Sequence, residues 1–295
     1  MCLVHLGDFA KAREHSEHAM RLYDAVGHRP LAMKFGQDIR VAILSYYAWA
    51  SWFLGYPDAA LAATDQALSD AREIGHVATL LYALVHASMV HNYCGDCAKA
   101  YAEAGEDVAL ASEKGSPFWA AFGRTVQGCL SGAIGKSSGE AVQTISSGLD
   151  TLRSTGTAMW RPYHLACLGK AYADAGNLDH AWRCITEAVA TIDASKERWC
   201  ETEVYRIGGE LALQLPVPQP TKAEAHFERA LAVARAQQAK SWELRAAMSL
   251  ARHWRSQGKP QQARELLAAV YGWCTEGFDT RDLKEANALL EELTA

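Results

Sequence analysis

Apolar residues recur along this chain at intervals of three and four, the period of a helix with one buried face. Val77-Ala-Thr-Leu-Leu-Tyr-Ala-Leu-Val-His-Ala-Ser-Met-Val90 and Trp242-Glu-Leu-Arg-Ala-Ala-Met-Ser-Leu-Ala-Arg-His-Trp254 show it most densely. No segment alternates apolar and polar between turn residues as a half-buried strand does, so the pattern predicts an all-α chain. The breaks are patterned too. A glycine followed five residues later by an alanine occurs in Gly7-Asp-Phe-Ala-Lys-Ala12, Gly55-Tyr-Pro-Asp-Ala-Ala60, Gly95-Asp-Cys-Ala-Lys-Ala100, Gly176-Asn-Leu-Asp-His-Ala181 and Gly258-Lys-Pro-Gln-Gln-Ala263. Weaker copies place Ala141 after Gly135, and Ala223 after the turn at Pro216, Pro218 and Pro220. The alanines at 12, 60, 100, 141, 181, 223 and 263 lie 48, 40, 41, 40, 42 and 40 residues apart.

Glycine ends one helix in the left-handed conformation, and an adjacent Asp or Asn caps the next. The alanine lets the two antiparallel helices approach closely. Ala19, Ala67, Ala188 and Ala230 put a second small residue on the same face seven positions later, a rule that Asp107, Gly148 and Val270 break. Paired small residues one heptad apart mark the second (B) helix of a tetratricopeptide hairpin. The predicted fold is therefore a right-handed α-α superhelix, a tetratricopeptide-like solenoid of about seven hairpins of ~40-residue period plus a C-terminal capping helix. That period exceeds the usual ~34 residues, which predicts helices longer by about a turn, near 16–18 residues. A HEAT- or armadillo-like array is the alternative. The expected organisation is one continuous solenoid over residues 1–295: an incomplete first hairpin at 1–27, repeats over 28–279 and the capping helix at 280–295. The start reads as mid-repeat, the mark of a fragment or of the truncated beginning of something longer.

Two stretches carry a more specific resemblance. One is His28-Arg-Pro-Leu-Ala-Met-Lys-Phe-Gly-Gln-Asp38 with Trp52-Phe-Leu-Gly-Tyr-Pro-Asp58. The other runs from Ala230 to Arg252, with Gly258-Lys and Tyr271-Gly-Trp-Cys-Thr-Glu-Gly-Phe-Asp-Thr280. Together they resemble the C-terminal tetratricopeptide region of large bacterial signalling proteins, in which a class III adenylate/guanylate cyclase or DNA-binding domain precedes a STAND-type ATPase and then the repeats. The resemblance covers most of the chain and is strongest after Trp199. It implies a sensor or partner-binding arm without the nucleotide-binding and cyclase parts, and brings no catalytic residues with it. The incomplete first hairpin departs from it.

Composition narrows the chemistry. The net charge of −5 gives no general attraction to phosphate backbones or anionic lipid, so neither nucleic acid nor membrane is an expected partner. Eight scattered cysteines and no signal peptide suit a reducing, cytoplasmic setting. Gly135-Lys-Ser-Ser lacks the glycine that a phosphate loop needs five residues earlier, where Leu130 stands. His91, Cys94 and Cys97 have the spacing of a weak metal candidate around one helix end, with His86 nearby. Cys97 also occupies the core slot that Phe9 fills in the first repeat, so structural cysteines are the expectation, with no metal and no cofactor. A helical array lacks the strand-turn-helix elbow that exposes a nucleophilic serine, and no catalytic residue is assigned.

What remains is a tryptophan near the start of successive first (A) helices: Trp119, Trp160, Trp199 and Trp242, 41, 39 and 43 residues apart. Polar side chains accompany them: Arg124 and Gln127; Arg161, Tyr163 and His164; Glu203 and Arg206; and Arg245. Tryptophan and arginine often anchor interfaces. The ladder has two readings, packing between repeats or lining a concave groove. The expected function is a non-enzymatic scaffold binding a protein or peptide segment, or upstream domains of the same polypeptide, in that groove. A small-molecule sensor regulating an attached ATPase or cyclase is the alternative, and an enzyme of unknown type the third. An exposed first hairpin also predicts self-association through the N-terminal end.

Overall fold

The structure, a computed structural model, describes residues 1–294; Ala295, the last residue of the expected cap, lies outside the described residues. Every regular element among them is helical. A first turn, α1 (Cys2–Leu6), is followed by α2 (Phe9–Leu22). Two short helices, α3 (Ala25–His28) and α4 (Ala32–Phe35), lead to α5 (Ile39–Phe53) and α6 (Pro57–Ile74). Then come α7 (Val77–Cys94), α8 (Cys97–Glu113), α9 (Pro117–Leu130) and α10 (Ser138–Ser154). The rest is α11 (Arg161–Asp174), α12 (Leu178–Ser195), α13 (Glu201–Gln214), α14 (Pro220–Ala236), α15 (Lys240–Ser256), α16 (Pro260–Tyr271) and α17 (Arg281–Glu292). The all-α, tetratricopeptide-type fold expected from the repeat is the one found. The wider first interval is filled by α3 and α4.

The turns form as the sequence predicts. Gly7, Gly55, Gly95, Gly135, Gly176 and Gly258 all have positive φ, between 76° and 96°. Asp8, Asp96 and Asn177 cap the following helices by accepting from the backbone N–H of Lys11, Lys99 and His180. All seven period-marking alanines are buried. A second series, at the other end of each hairpin, was not read from the sequence: Gly36, Gly75, Gly115, Gly156, Lys196, Gln238 and Gly277 are left-handed as well. They fall 39, 40, 41, 40, 42 and 39 residues apart. Lys196 and Gln238 hide that series from a search for glycine. Helix lengths correct the uniform 16–18 expected: α9, α11 and α13 have 14 residues, whereas α10, α12 and α14 have 17 or 18.

The chain divides into two compact units. The first comprises Met1–Val4, Asp8–Trp52 and Pro57–Ala158, and in it α6 to α10 pack each on the next. The second comprises His5–Gly7, Phe53–Tyr56 and Met159–Ala295. There α11 to α17 pack in succession, and the first helices α11, α13, α15 and α17 also touch one another. Its core runs through Phe227, Leu244, Leu250, Leu267 and Leu289. Gly209 of α13 receives the Phe227 ring so closely that a Cβ there would sit 2.4 Å from it. Leu283, Ala286 and Leu289 of α17 close the end of that core, as a capping helix should.

Candidate functional site

In the second unit three tryptophans of the ladder form an internal column. Trp160, Trp199 and Trp242 are all buried. Trp160 meets Trp199 edge-on at 5.7 Å, and the indole N–H of Trp242 donates to the Trp199 carbonyl oxygen at 3.1 Å. Phe53 lies 6.0 Å from the Trp199 ring and 5.8 Å from Trp242. These rings pack on one another between repeats. Tyr163 and His164 go with them: both are buried, and Tyr163 lies 5.1 Å from Trp199. Burial pushes the His164 imidazole down to about 4, against a smaller opposing pull from Glu197.

Glu197, which the sequence reading passed over, organises this column. Its carboxylate accepts from the backbone N–H of Trp160 at 2.9 and 3.0 Å and from the Trp199 indole at 2.7 Å, and lies 3.3 Å from His5 Nδ1. Trp160 takes φ of 71°, a strained angle for a residue with a large side chain, and thereby points its N–H at the carboxylate.

Above the column, the first helices present a stripe of charge. On α13, Glu203, Arg206 and Glu210 recur at i, i+3 and i+7; on α15, Arg245, Ser249 and Arg252 recur at i, i+4 and i+7. The Arg206 guanidinium donates to Glu203 at 2.7 and 2.8 Å, to Glu210, and to Ser249 Oγ at 3.2 Å. Arg245 lies 5.1 Å over the Trp242 ring and donates to Asp282 of α17 at 2.6 Å. Arg252 with Glu285, and Arg255 with Glu292, continue the row at the surface. Burial alone would push the Glu203 carboxyl up; Arg206, helped by Arg245 and Arg281, outweighs it and holds the pKa below the usual carboxylate range. Burial likewise opposes the charge on Arg245, and Asp282 and Glu203 more than offset it. Such a site is permanently charged, which suits recognition better than proton transfer.

The structure thus brings Glu203, Arg206 and Arg245 together, adding Glu210, Ser249 and Asp282. The missed signal was charge recurring at three- and four-residue spacing on alternate helices. The remaining candidates stand apart. Arg161, half-buried, pairs with Glu187 at 2.5 Å. In the first unit Trp119 is half-buried with its ring 6.0 Å from Tyr82, Arg124 is exposed, and Gln127 lies against α8 at Gly105.

The weak metal candidate is not assembled. His91 Nδ1 is 2.8 Å from Glu103, and Cys97 Sγ donates to Asn92 at 3.8 Å. Among the described residues no group of three or more His, Cys, Asp or Glu could hold a metal ion, and no helix is long and apolar enough to cross a membrane.

No protein-family model matches the sequence, and no curated protein does. Solved structures match by fold. RapI in its apo form superposes at a TM-score of 0.60 with 11% identity, over 96% of this chain and 99% of that one. A tetratricopeptide repeat protein from Parabacteroides merdae gives 0.54 with 14% identity, over 98% and 99%. A Rap protein complexed with competence and sporulation factor gives 0.55 with 11% identity, over 85% and 74%. At these identities the likeness is one of fold.

Proposed function

We propose that the chain is a binding scaffold whose partner, a protein segment carrying charges of both signs, lies along the α13–α15–α17 stripe. The observation that carries this is the stripe itself. Arg206 is held by Glu203 and Glu210, and Arg245 by Asp282 above the buried Trp242 ring, their geometry set before any partner arrives. Arg252 and Arg255 remain accessible, with exposed carboxylates beside them for a partner to exchange with. A structural neighbour captured with a bound factor supports the use of such a fold as a receptor. The resemblance in residues 230–252 and 271–280 supports a narrower form, in which the chain is the sensor arm of a cytoplasmic STAND-type signalling protein and the partner is an upstream module.

The test is selection of 15- to 20-residue segments from a display library against the whole chain, followed by calorimetry on the synthesised winners. Arg252→Ala and Arg255→Ala together should weaken binding at least tenfold, and 0.5 M salt should do the same. Segments that bind equally well to that double variant would refute the placement. Saturable binding of a small metabolite, blocked by Arg245→Lys, would turn the reading toward the sensor alternative.

A further inference from the structure

Asp107 of α8 stands at the position where other second helices carry Ala67, Ala188 and Ala230. Its side chain is fully buried, and neither carboxylate oxygen has a hydrogen-bond partner in the protein. Opposite it on α9 is Gly123. A Cβ there would come within 2.4 Å of Asp107 Oδ2, 2.9 Å of Val108 Cγ2 and 3.1 Å of the Ala104 carbonyl oxygen. The side chain missing at 123 is therefore the room the carboxyl occupies. The departure at Asp107 is accommodated by the glycine at 123.

A carboxyl with no donor, enclosed between two helices, is stable there as the neutral acid. Burial is the sole cause raising its pKa, to about 8. The charged groups on the packed elements are engaged elsewhere. On α8 itself, Glu103 is held by His91 of α7 at 2.8 Å, and Glu106 by Arg72 of α6 at 2.9 Å. On α7, His86 bonds the Tyr82 carbonyl oxygen. On α9, Arg124 points to solvent beside Gly123, and the 3-10 turn Ser131–Ile134 has no ionisable side chain.

We infer that the Asp107–Gly123 contact is a proton-operated clamp, which holds α8 against α9 while the carboxyl is neutral and loosens that pair when the proton leaves. The helix it holds is the one bearing Trp119, Arg124 and Gln127, and Gln127 reaches back onto α8 at Gly105. Loosening the pair shifts the side chains that this first helix presents.

The sign follows from the proton count. Unfolded, the carboxyl ionises near 3.8; folded, near 8. Between those values the folded chain holds the extra proton, so stability falls as pH rises, by up to about tenfold in the unfolding constant per pH unit, and is flat above. His164 has the opposite sign: lowered to about 4 from 6.5, it loses its contribution as pH falls through that window. The Asp107 slope is therefore read between pH 6.5 and 8.

The experiment is urea unfolding of the full chain from pH 6.5 to 8.5, with amide exchange of α8 and α9 corrected for intrinsic rate, for wild type and Asp107→Asn. Relative to the Asn variant, wild type should show an unfolding constant rising about twentyfold over that range, with α8–α9 exchange rising alongside, while exchange in the variant stays flat. A flat wild type, or an Asn variant with the wild-type slope, overturns the clamp. Should the variant not fold, carboxyl NMR of the wild type decides. One aspartate titrating above pH 6.5 upholds the proposal, and all of them titrating below 5 defeats it.

Discussion

Glu197 is a buried carboxylate ringed by N–H donors, Asp107 one with none, and the two should respond oppositely to the same change. Replacing Glu197 with Gln turns one accepting oxygen into a donor facing the donors of Trp160 and Trp199. The expected cost is ~1–3 kcal/mol in urea unfolding. Asp107→Asn should instead stabilise the chain at pH 8.5. Arg245 and Arg252 make a second contrast. Arg245→Ala leaves Asp282, whose side chain is 12% exposed, with the looser 3.9 Å pair to Arg281, and should cost about 3 kcal/mol. Arg252→Ala breaks a pair roughly half exposed on each side and should cost under ~1 kcal/mol. Equal losses would mean the Arg245 fork is not the fixed element described. None of this was visible in the sequence, because whether a charge is paired or stranded depends on helices distant along the chain.

At the scale of the helix and turn, the sequence was far more legible. Gly-Asp and Gly-Asn turns and their alanines signal themselves, since a left-handed residue and a cap are local needs. The tryptophans were legible in position but not in direction. Spacing of about 40 puts them at equivalent sites, yet equivalent sites can face a partner or the next repeat. Trp199→Ala should remove ~3–5 kcal/mol, the loss expected of a core aromatic rather than a surface one. The second turn series was hidden by Lys196 and Gln238, which hold φ of 62° and 55° at some strain. Lys196→Gly or Gln238→Gly should stabilise by ~1 kcal/mol in thermal unfolding. A loss of stability would show that those side chains contribute more than their backbone costs.

For the molecule as a whole, composition excluded more than it selected. The mild negative charge and the helical periodicity gave the class; the division into two units gave no sequence signal, because the period runs through it unchanged. The second unit takes His5–Gly7 and Phe53–Tyr56 as members. A fragment of residues 159–295 would leave Trp199 and Trp242 without Phe53, and Glu197 without His5. It should unfold at lower urea than the corresponding unit in the full chain, as read by tryptophan fluorescence.

The two series of left-handed turns have a consequence for how the fold can be recognised. What this molecule repeats every 40 residues or so is a change of hand, and it writes that change with glycine, lysine or glutamine alike. Spelling can then drift while the folding instruction stays constant. A comparison of letters finds no match, and a comparison of backbones finds a like fold at 11% identity over nearly the entire chain. A transcript of conformations, glycine or not, announces the fold that the alphabet conceals.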